Sequence, residues 1–126
     1  RDAQESRGLG DVYKRQAYLF SWDSPVMNGI YMSYHTAEIP FVFHNIDKME
    51  ARIGDGRDAR TLSDRMSDAW IHFARYGTPG TPDLPRWEPY THQSGATMIF
   101  DTTIREGHHH DRKLLQLLAP DYKLFE

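Results

Sequence analysis

Cysteine is absent from the sequence, so disulfide bonds cannot contribute to the fold and the redox compartment cannot be inferred. No stretch approaches the ~18 consecutive apolar residues that a membrane-spanning helix requires. A basic excess is also missing. The formal charge is -3 at pH 7, which argues against a positive surface for nucleic acid or anionic lipid. We therefore expect neither a nucleic-acid partner nor a membrane span, while the cellular location stays undetermined.

The apolar content is sufficient for a modest packed core. Of the 126 residues, 39% are hydrophobic and 13% are aromatic, which is typical of folded rather than disordered chains. There is no internal repeat, and the only low-complexity tract is three adjacent histidines near the C-terminus. Composition therefore indicates a folded protein but does not indicate what it does.

The first predicted element is a strand followed by a loop. Tyr18, Phe20 and Trp22 alternate along the chain, which predicts a short β-strand that ends in a proline turn. Leu19 is apolar on the opposite side, which predicts a strand covered on both faces, as in a sheet between helices. Residues 26–34 show no clear period and are predicted to form a loop.

A long amphipathic helix is the clearest element in the sequence. Its apolar stripe, at spacings of three and four, consists of Leu62, Met66, Ala69, Trp70, Phe73 and Ala74. Asp58 is the predicted N-terminal cap, and Gly77 is predicted to end the helix. Residues 97–103 predict a short strand, and residues 111–118 predict a closing helix. The inward residues of that last helix are predicted to be Leu114, Leu115 and Leu118.

His35 is the leading candidate for a catalytic group. It stands at the far end of the predicted loop, with Glu38 three residues later and an apolar run containing proline after that. Imidazole titrates near neutral pH and can therefore accept and return a proton within one turnover, as a general base must. On local chemistry alone a structural histidine is the more common explanation, so both interpretations stand at this point.

The remaining histidines give no comparable signal. His44, His72 and His92 are interpreted as ordinary structural or surface residues. The run 108–110 cannot direct three imidazoles at one ion from a regular element, and no cysteine is available to complete a zinc site. We interpret this run as a polar entry to the last helix, and we expect no metal and no cofactor.

A longer pattern resembles the C-terminal part of the type B carboxylesterases, the family that includes the cholinesterases. The matching pieces, in order, are Ser24-Pro25, Gly29, His35, residues 38–43 (Glu-Ile-Pro-Phe-Val-Phe), 62–66 (Leu-Ser-Asp-Arg-Met), 69–79 (Ala-Trp-Ile-His-Phe-Ala-Arg-Tyr-Gly-Thr-Pro), 87–90 (Trp-Glu-Pro-Tyr) and 98–101 (Met-Ile-Phe-Asp). The resemblance implies an α/β fold, namely the C-terminal portion of an α/β-hydrolase: strand, catalytic-histidine loop, long helix, short strand and terminal helix. Since that fold is larger than this chain, we expect a fragment.

The resemblance also implies a division of the chain. Residues 17–126 correspond to the C-terminal part of a carboxylesterase domain. Residues 1–16 do not continue the pattern and look like a non-native, adapter-derived tail, although a genuine solvated loop is the alternative.

The chemistry implied by the family is ester hydrolysis through an acyl-serine intermediate, with His35 as the base and a small-molecule ester as substrate. The Gly-x-Ser-x-Gly elbow, the acid and the oxyanion hole are expected to precede the histidine and are not in this sequence. Glu38 follows His35, so it is assigned as a buried group that fixes the loop rather than as the acid. The alternative is a noncatalytic cholinesterase-like adhesion or binding domain, since this fold also serves such proteins.

Overall fold

A computed structural model describes residues 15–120 of the chain. The strands are β1 (Ala17–Phe20), β2 (Ala96–Phe100) and β3 (Arg105–His108). The α-helices are α1 (Ile39–Val42), α2 (Glu50–Ile53), α3 (Arg57–Tyr76) and α4 (Arg112–Leu118), and short 3-10 segments span Val26–Gly29 and Ile46–Met49. The three strands form one sheet in the order β1-β2-β3. β1 runs parallel to β2, and β3 runs antiparallel to β2.

The predicted first strand is confirmed as β1, but its predicted burial on both faces is wrong. Tyr18 and Leu19 are 41% and 38% exposed, because β1 lies at one edge of the described sheet. By contrast, every residue of β2 is buried, as expected for the central strand. The fully covered position predicted for β1 is therefore taken by β2.

The long helix is confirmed as α3, and its predicted apolar stripe faces the core except at Ala74, which is exposed near the end of the helix. Its buried residues are Ala59, Leu62, Ser63, Met66, Ser67 and Ala69. The predicted end is also correct: Gly77 adopts a left-handed φ of 76°, and its N–H donates to the carbonyl of Phe73. The predicted cap is wrong, since Gly56 occupies the N-cap position and Asp58 lies within the first turn. A carboxylate there still interacts favourably with the positive end of the helix dipole.

The core lies between α3 and the sheet. Its buried members include Trp22, Phe41, Ile53, Leu62, Met66, Trp87, Met98 and Phe100. The ring centroid of Phe41, in α1, lies 5.0 Å from that of Phe20 and 5.1 Å from that of Trp22. Burying a side chain of this size contributes about 2 to 3 kcal/mol, so these aromatic contacts fix α1 against the end of β1.

The C-terminal part departs from the sequence prediction in two ways. The predicted strand at 97–103 forms as β2 but ends at Phe100, because residues 101–103 bend, and the chain then returns as β3, which was not predicted. The closing helix forms as α4, but Leu114 and Leu118 are 56% and 74% exposed rather than inward. Only Leu115 of the three predicted inward residues is half-buried. α4 therefore contributes little to the core of the described chain.

Two of the three adjacent histidines contact the turn that precedes β2. His108 Nδ1 lies 2.9 Å from the carbonyl oxygen of Ser94, and His109 Nε2 lies 2.9 Å from that of Gln93. The N–H of Arg112, at the start of α4, donates to the carbonyl of His109. These contacts confirm that the histidine run leads into the last helix.

Candidate active-site histidine loop

His35 lies on the loop that follows the carboxyl end of β1. The loop runs from Ser21 through a turn at residues 35–38 and leads directly into α1. Ligands of open α/β sheets bind outside the carboxyl ends of the strands, so this is where such a fold places catalytic side chains. The imidazole of His35 is exposed. The sequence prediction of a histidine at the far end of a loop agrees with this placement.

The backbone of this loop is unusually bent. Met27, Asn28, Met32 and Thr36 have φ values of 52°, 58°, 49° and 70°. The left-handed region is disfavoured for side chains other than glycine and asparagine, and most of all for a β-branched residue such as Thr36. Conformations of this kind persist only where surrounding contacts impose them, and they cluster at functional sites.

Hydrogen bonds tie the loop to the sheet and to itself. Ser33 Oγ donates to the carbonyl of Phe20 over 3.0 Å, at the last residue of β1. The N–H of Ser24 donates to the carbonyl of Met32, which brings the two sides of the loop together. The N–H of Ala37 donates to the carbonyl of Tyr34, which closes the turn that contains His35. These contacts tie Ser33 to the end of β1 and close the turn that carries His35.

The imidazole of His35 makes no hydrogen bond or ion pair with any residue between 15 and 120. A general base needs its ring nitrogen open to the group that it deprotonates, and this ring is open. It also needs an orienting acceptor for its second nitrogen, and the described part of the chain does not supply one.

Glu38 is half-buried, which corrects the prediction that it is buried. Its carbonyl accepts the N–H groups of Phe41 and Val42, so its backbone starts α1. The charge of its side chain affects Tyr18, in β1. Burial raises the pKa of the Tyr18 phenol above its ordinary value, and the negative charge of Glu38 raises that pKa further.

One histidine–carboxylate pair, His44 with Asp64, was not anticipated from the sequence. His44 Nε2 lies 2.6 Å from Asp64 Oδ1 at the rim of a cavity of about 520 Å³, whose lining also includes Ser63. Ser63 is buried, and its Oγ donates to the carbonyl of Phe41. This hydroxyl is therefore engaged and does not form a nucleophile with the pair. Since His44 and Asp64 are joined only by the fold, no local pattern signals their contact.

Comparison with known proteins identifies the family of this chain. The model of the carboxylesterase family matches residues 6–116 of this chain. The chain belongs to the carboxylesterase family. The para-nitrobenzyl esterase of Bacillus subtilis is 33% identical over 107 residues, which cover 82% of this chain and 21% of that protein. The phenmedipham hydrolase of Pseudarthrobacter oxydans is 31% identical over 88 residues, covering 67% of this chain and 18% of that protein.

Solved structures of carboxylesterases agree with the fold. An esterase from Clostridium hathewayi, described as hydrolysing aliphatic aromatic polyesters, superposes with a TM-score of 0.75 at 32% identity and covers 85% of this chain. A para-nitrobenzyl esterase structure gives a TM-score of 0.67 at 29% identity. The mixed sheet and its helices are thus part of the α/β-hydrolase fold, as the resemblance predicted. The chain spans about one fifth of the length of the curated relatives it matches.

No helix within residues 15–120 combines the length and the apolar character needed to cross a lipid bilayer.

Proposed function

We propose that this carboxylesterase chain is the histidine-bearing segment of a carboxylic ester hydrolase, with His35 as the general base. The observation that carries the proposal is the exposed, unengaged imidazole on the loop at the carboxyl end of β1. Family membership supports the reaction class. The division between a tail at residues 1–16 and an esterase segment from residue 17 remains part of the proposal.

The chemistry follows from the position of the imidazole. His35 accepts the proton of a serine hydroxyl, and the serine oxygen attacks the ester carbonyl to form a tetrahedral intermediate. The imidazolium then protonates the departing alcohol, which leaves an acyl-serine. Water, deprotonated by the same ring, attacks the acyl group, and the acid and free serine are released. Each proton taken up by His35 is thus returned within the cycle.

The serine and the acid of this mechanism are placed outside the sequence. No Gly-x-Ser-x-Gly elbow occurs in it, and Ser94-Gly95 does not qualify because His92 stands where the first glycine should be. Ser33 is near His35 in sequence, but its hydroxyl is bonded to the carbonyl of Phe20. Glu38 is assigned a positioning role, since its carbonyl starts the helix that follows the histidine turn.

The substrate class proposed is a small-molecule ester with apolar groups. Met27, Ile30 and Met32 project from the same loop as His35 and are 66%, 70% and 63% exposed. Methionine adapts its shape to irregular apolar partners, so such a rim suits esters of varied size. The relative named for para-nitrobenzyl esters makes para-nitrophenyl and para-nitrobenzyl esters the appropriate assay substrates.

A chimeric enzyme tests the proposal. Residues 17–118 would replace the matching segment of the Bacillus subtilis para-nitrobenzyl esterase, and hydrolysis of para-nitrophenyl acetate would be compared among the chimera, His35→Gln and the control His44→Gln. We expect His35→Gln to lower kcat by about 10⁴-fold, as loss of a triad member does, and His44→Gln to retain most activity.

Two results would contradict the proposal. One is a folded chimera, judged by circular dichroism, whose His35→Gln variant hydrolyses the ester as fast as the parent. The other is a folded chimera without hydrolysis, which would favour a noncatalytic binding domain. The isolated chain provides a further check, since we expect it to hydrolyse the ester no faster than buffer containing free imidazole.

A further inference from the structure

One residue of α2 contacts both sides of the loop that leads to His35. Ser24 Oγ, on the first side, donates a short hydrogen bond to the backbone carbonyl of Arg52. The guanidinium carbon of Arg52 lies 5.8 Å from the ring centroid of Tyr34, the residue before His35. Ser24 is buried at 1% exposure, so the first contact is shielded from water. Arg52 therefore links the beginning and the end of the loop.

Tyr34 is held by its ring rather than by its hydroxyl. Its Oη is buried and has no hydrogen-bond partner in the described structure. The ring meets Tyr31 edge-on, with centroids 6.3 Å apart and an interplanar angle of 67°. A cation within about 6 Å of an aromatic face is attracted by the ring quadrupole, so the guanidinium supplies the second ring contact. Within the described residues, the Tyr34 ring is thus contacted by the Tyr31 ring and by the Arg52 guanidinium.

α2 is a fixed support for these contacts. Ile53, the residue after Arg52, is fully buried in the core. Gly54 ends α2 with a φ of 78°, and Val26 Cγ2 lies 3.5 Å from the position that a Cβ on Gly54 would occupy. The end of α2 therefore packs directly against the loop. Because α2 is anchored by Ile53, a contact from Arg52 restrains the loop relative to the core.

We infer that Arg52 is a positioning residue for His35. It acts through Tyr34 at one side of the loop and through Ser24 at the other, and it holds the strained backbone between them in one conformation. Its catalytic significance rests on the proposed function, but the restraint itself is a property of the described fold. Substitution of the Arg52 side chain removes the contact with Tyr34 and leaves the backbone contact with Ser24 in place.

Hydrogen exchange and NMR of the full 126-residue chain test the restraint directly. The variants are Arg52→Gln, Arg52→Lys and the control Arg75→Gln, an exposed arginine in the last turn of α3. The amides of Met32 and Ala37, bonded to the carbonyls of Gly29 and Tyr34, report on the loop. We expect Arg52→Gln to accelerate their exchange about twofold to fivefold, which corresponds to an exposed cation–π contact, and to shift the His35 imidazole signals.

Arg52→Lys should recover most of the parental behaviour, since an ammonium group also binds an aromatic face, and Arg75→Gln should match the parent. Tyr34 is the aromatic partner in this contact. Tyr34→Phe keeps the ring and should show the amide exchange rates of the parent, whereas Tyr34→Leu removes the ring and should behave like Arg52→Gln. Combining Arg52→Gln with Tyr34→Leu should add little to either change alone, as expected for two partners of one contact. Tyr34→Leu also tests the inference if Arg52→Gln impairs folding.

The inference is overturned if Arg52→Gln and Tyr34→Leu leave the loop amides and the His35 signals unchanged, or if Arg52→Lys is no closer to the parent than Arg52→Gln. In the chimera described above, Arg52→Gln should lower kcat about twofold to fivefold at unchanged KM, because it disturbs the base and not substrate binding. An equal rise in KM instead would contradict the positioning role. Loss of loop restraint together with an active His35→Gln chimera would overturn the proposed function while leaving the restraint established.

Discussion

Ser63 Oγ donates a 3.1 Å hydrogen bond to the carbonyl oxygen of Phe41 and so joins the middle of α3 to the helix that follows the histidine loop. Both residues are buried, at 1% and 0% exposure. The contact therefore couples the longest helix of the chain to the position of α1, and through α1 to the turn that carries His35.

Removing this hydroxyl should destabilise the fold. Ser63→Ala removes one of two donors to the carbonyl of Phe41, the other being the N–H of His44, and the loss of one such hydrogen bond costs about 0.5 to 1.5 kcal/mol. Ser67→Ala is a matched control, because Ser67 Oγ bonds only to the carbonyl of Asp64 within its own helix. Urea unfolding monitored by circular dichroism would compare the two. Equal midpoints for Ser63→Ala and Ser67→Ala would contradict the proposed coupling of α1 to α3.

Two phenylalanines of the same short apolar run should respond differently to truncation. Phe41 is fully buried between Phe20 and Trp22, so Phe41→Ala should cost about 3 to 5 kcal/mol. Phe43 is 72% exposed, so Phe43→Ala should change the unfolding free energy by less than about 0.5 kcal/mol. Thermal unfolding measures both. A loss for Phe43→Ala as large as that for Phe41→Ala would show that Phe43 is covered in solution.

The phenol of Tyr18 should ionise at higher pH than an ordinary tyrosine. Burial is the larger cause of the raised pKa and the charge of Glu38 the smaller, so Glu38→Gln should lower the pKa without returning it fully to the ordinary value. Asp23→Asn, on the same loop, is the control and should leave it unchanged. NMR titration of the Tyr18 ring protons measures the shift, and an unchanged Tyr18 pKa in Glu38→Gln would contradict this account.

The same shift predicts how stability depends on pH. Since the pKa of Tyr18 is higher in the folded than in the unfolded state, the folded state retains the proton more strongly. The contribution of Tyr18 to stability is fully present below the unfolded pKa and is lost as the pH rises through the folded pKa. Tyr18→Phe should therefore unfold with a weaker alkaline decline than the parent. Parallel declines for the two proteins would rule out a contribution from this group.

Gly95 should resist substitution because of the histidine beside it. It has a left-handed φ of 55°, and a Cβ there would lie 2.7 Å from Cγ and Cε1 of the His109 imidazole. Gly95→Ala should therefore cost about 2 kcal/mol through backbone strain and displacement of the ring. Gly56→Ala is the control, since no atom lies within 4 Å of its Cβ position. Adding His109→Ala to Gly95→Ala should restore part of the lost stability in a thermal unfolding assay, because the alanine side chain then has room. If no stability is restored, the cost of Gly95→Ala comes from backbone strain alone.

Local patterns were sufficient for the elements whose signals are local. The stripe at spacings of three and four gave α3, and Gly77 ended it, because helix periodicity and the left-handed end of a helix are properties of neighbouring residues. β3 was missed because Arg-Glu-Gly-His has neither alternation nor β-branched residues, and it forms by pairing with β2. The exposure of Leu114 and Leu118 was missed because a helical stripe does not reveal whether a partner covers it.

The sequence by itself determined the family resemblance, the position of His35 after a strand, and the long helix, since each of these depends on residue order and short-range periodicity. Only the tertiary structure decided that β1 lies at an edge, that the charge of the half-buried Glu38 acts on Tyr18, and that Arg52 contacts both Ser24 and Tyr34. These relationships join residues far apart in the chain. The energy of each contact depends on which surfaces pack together after folding, and short-range sequence patterns do not indicate which surfaces those are.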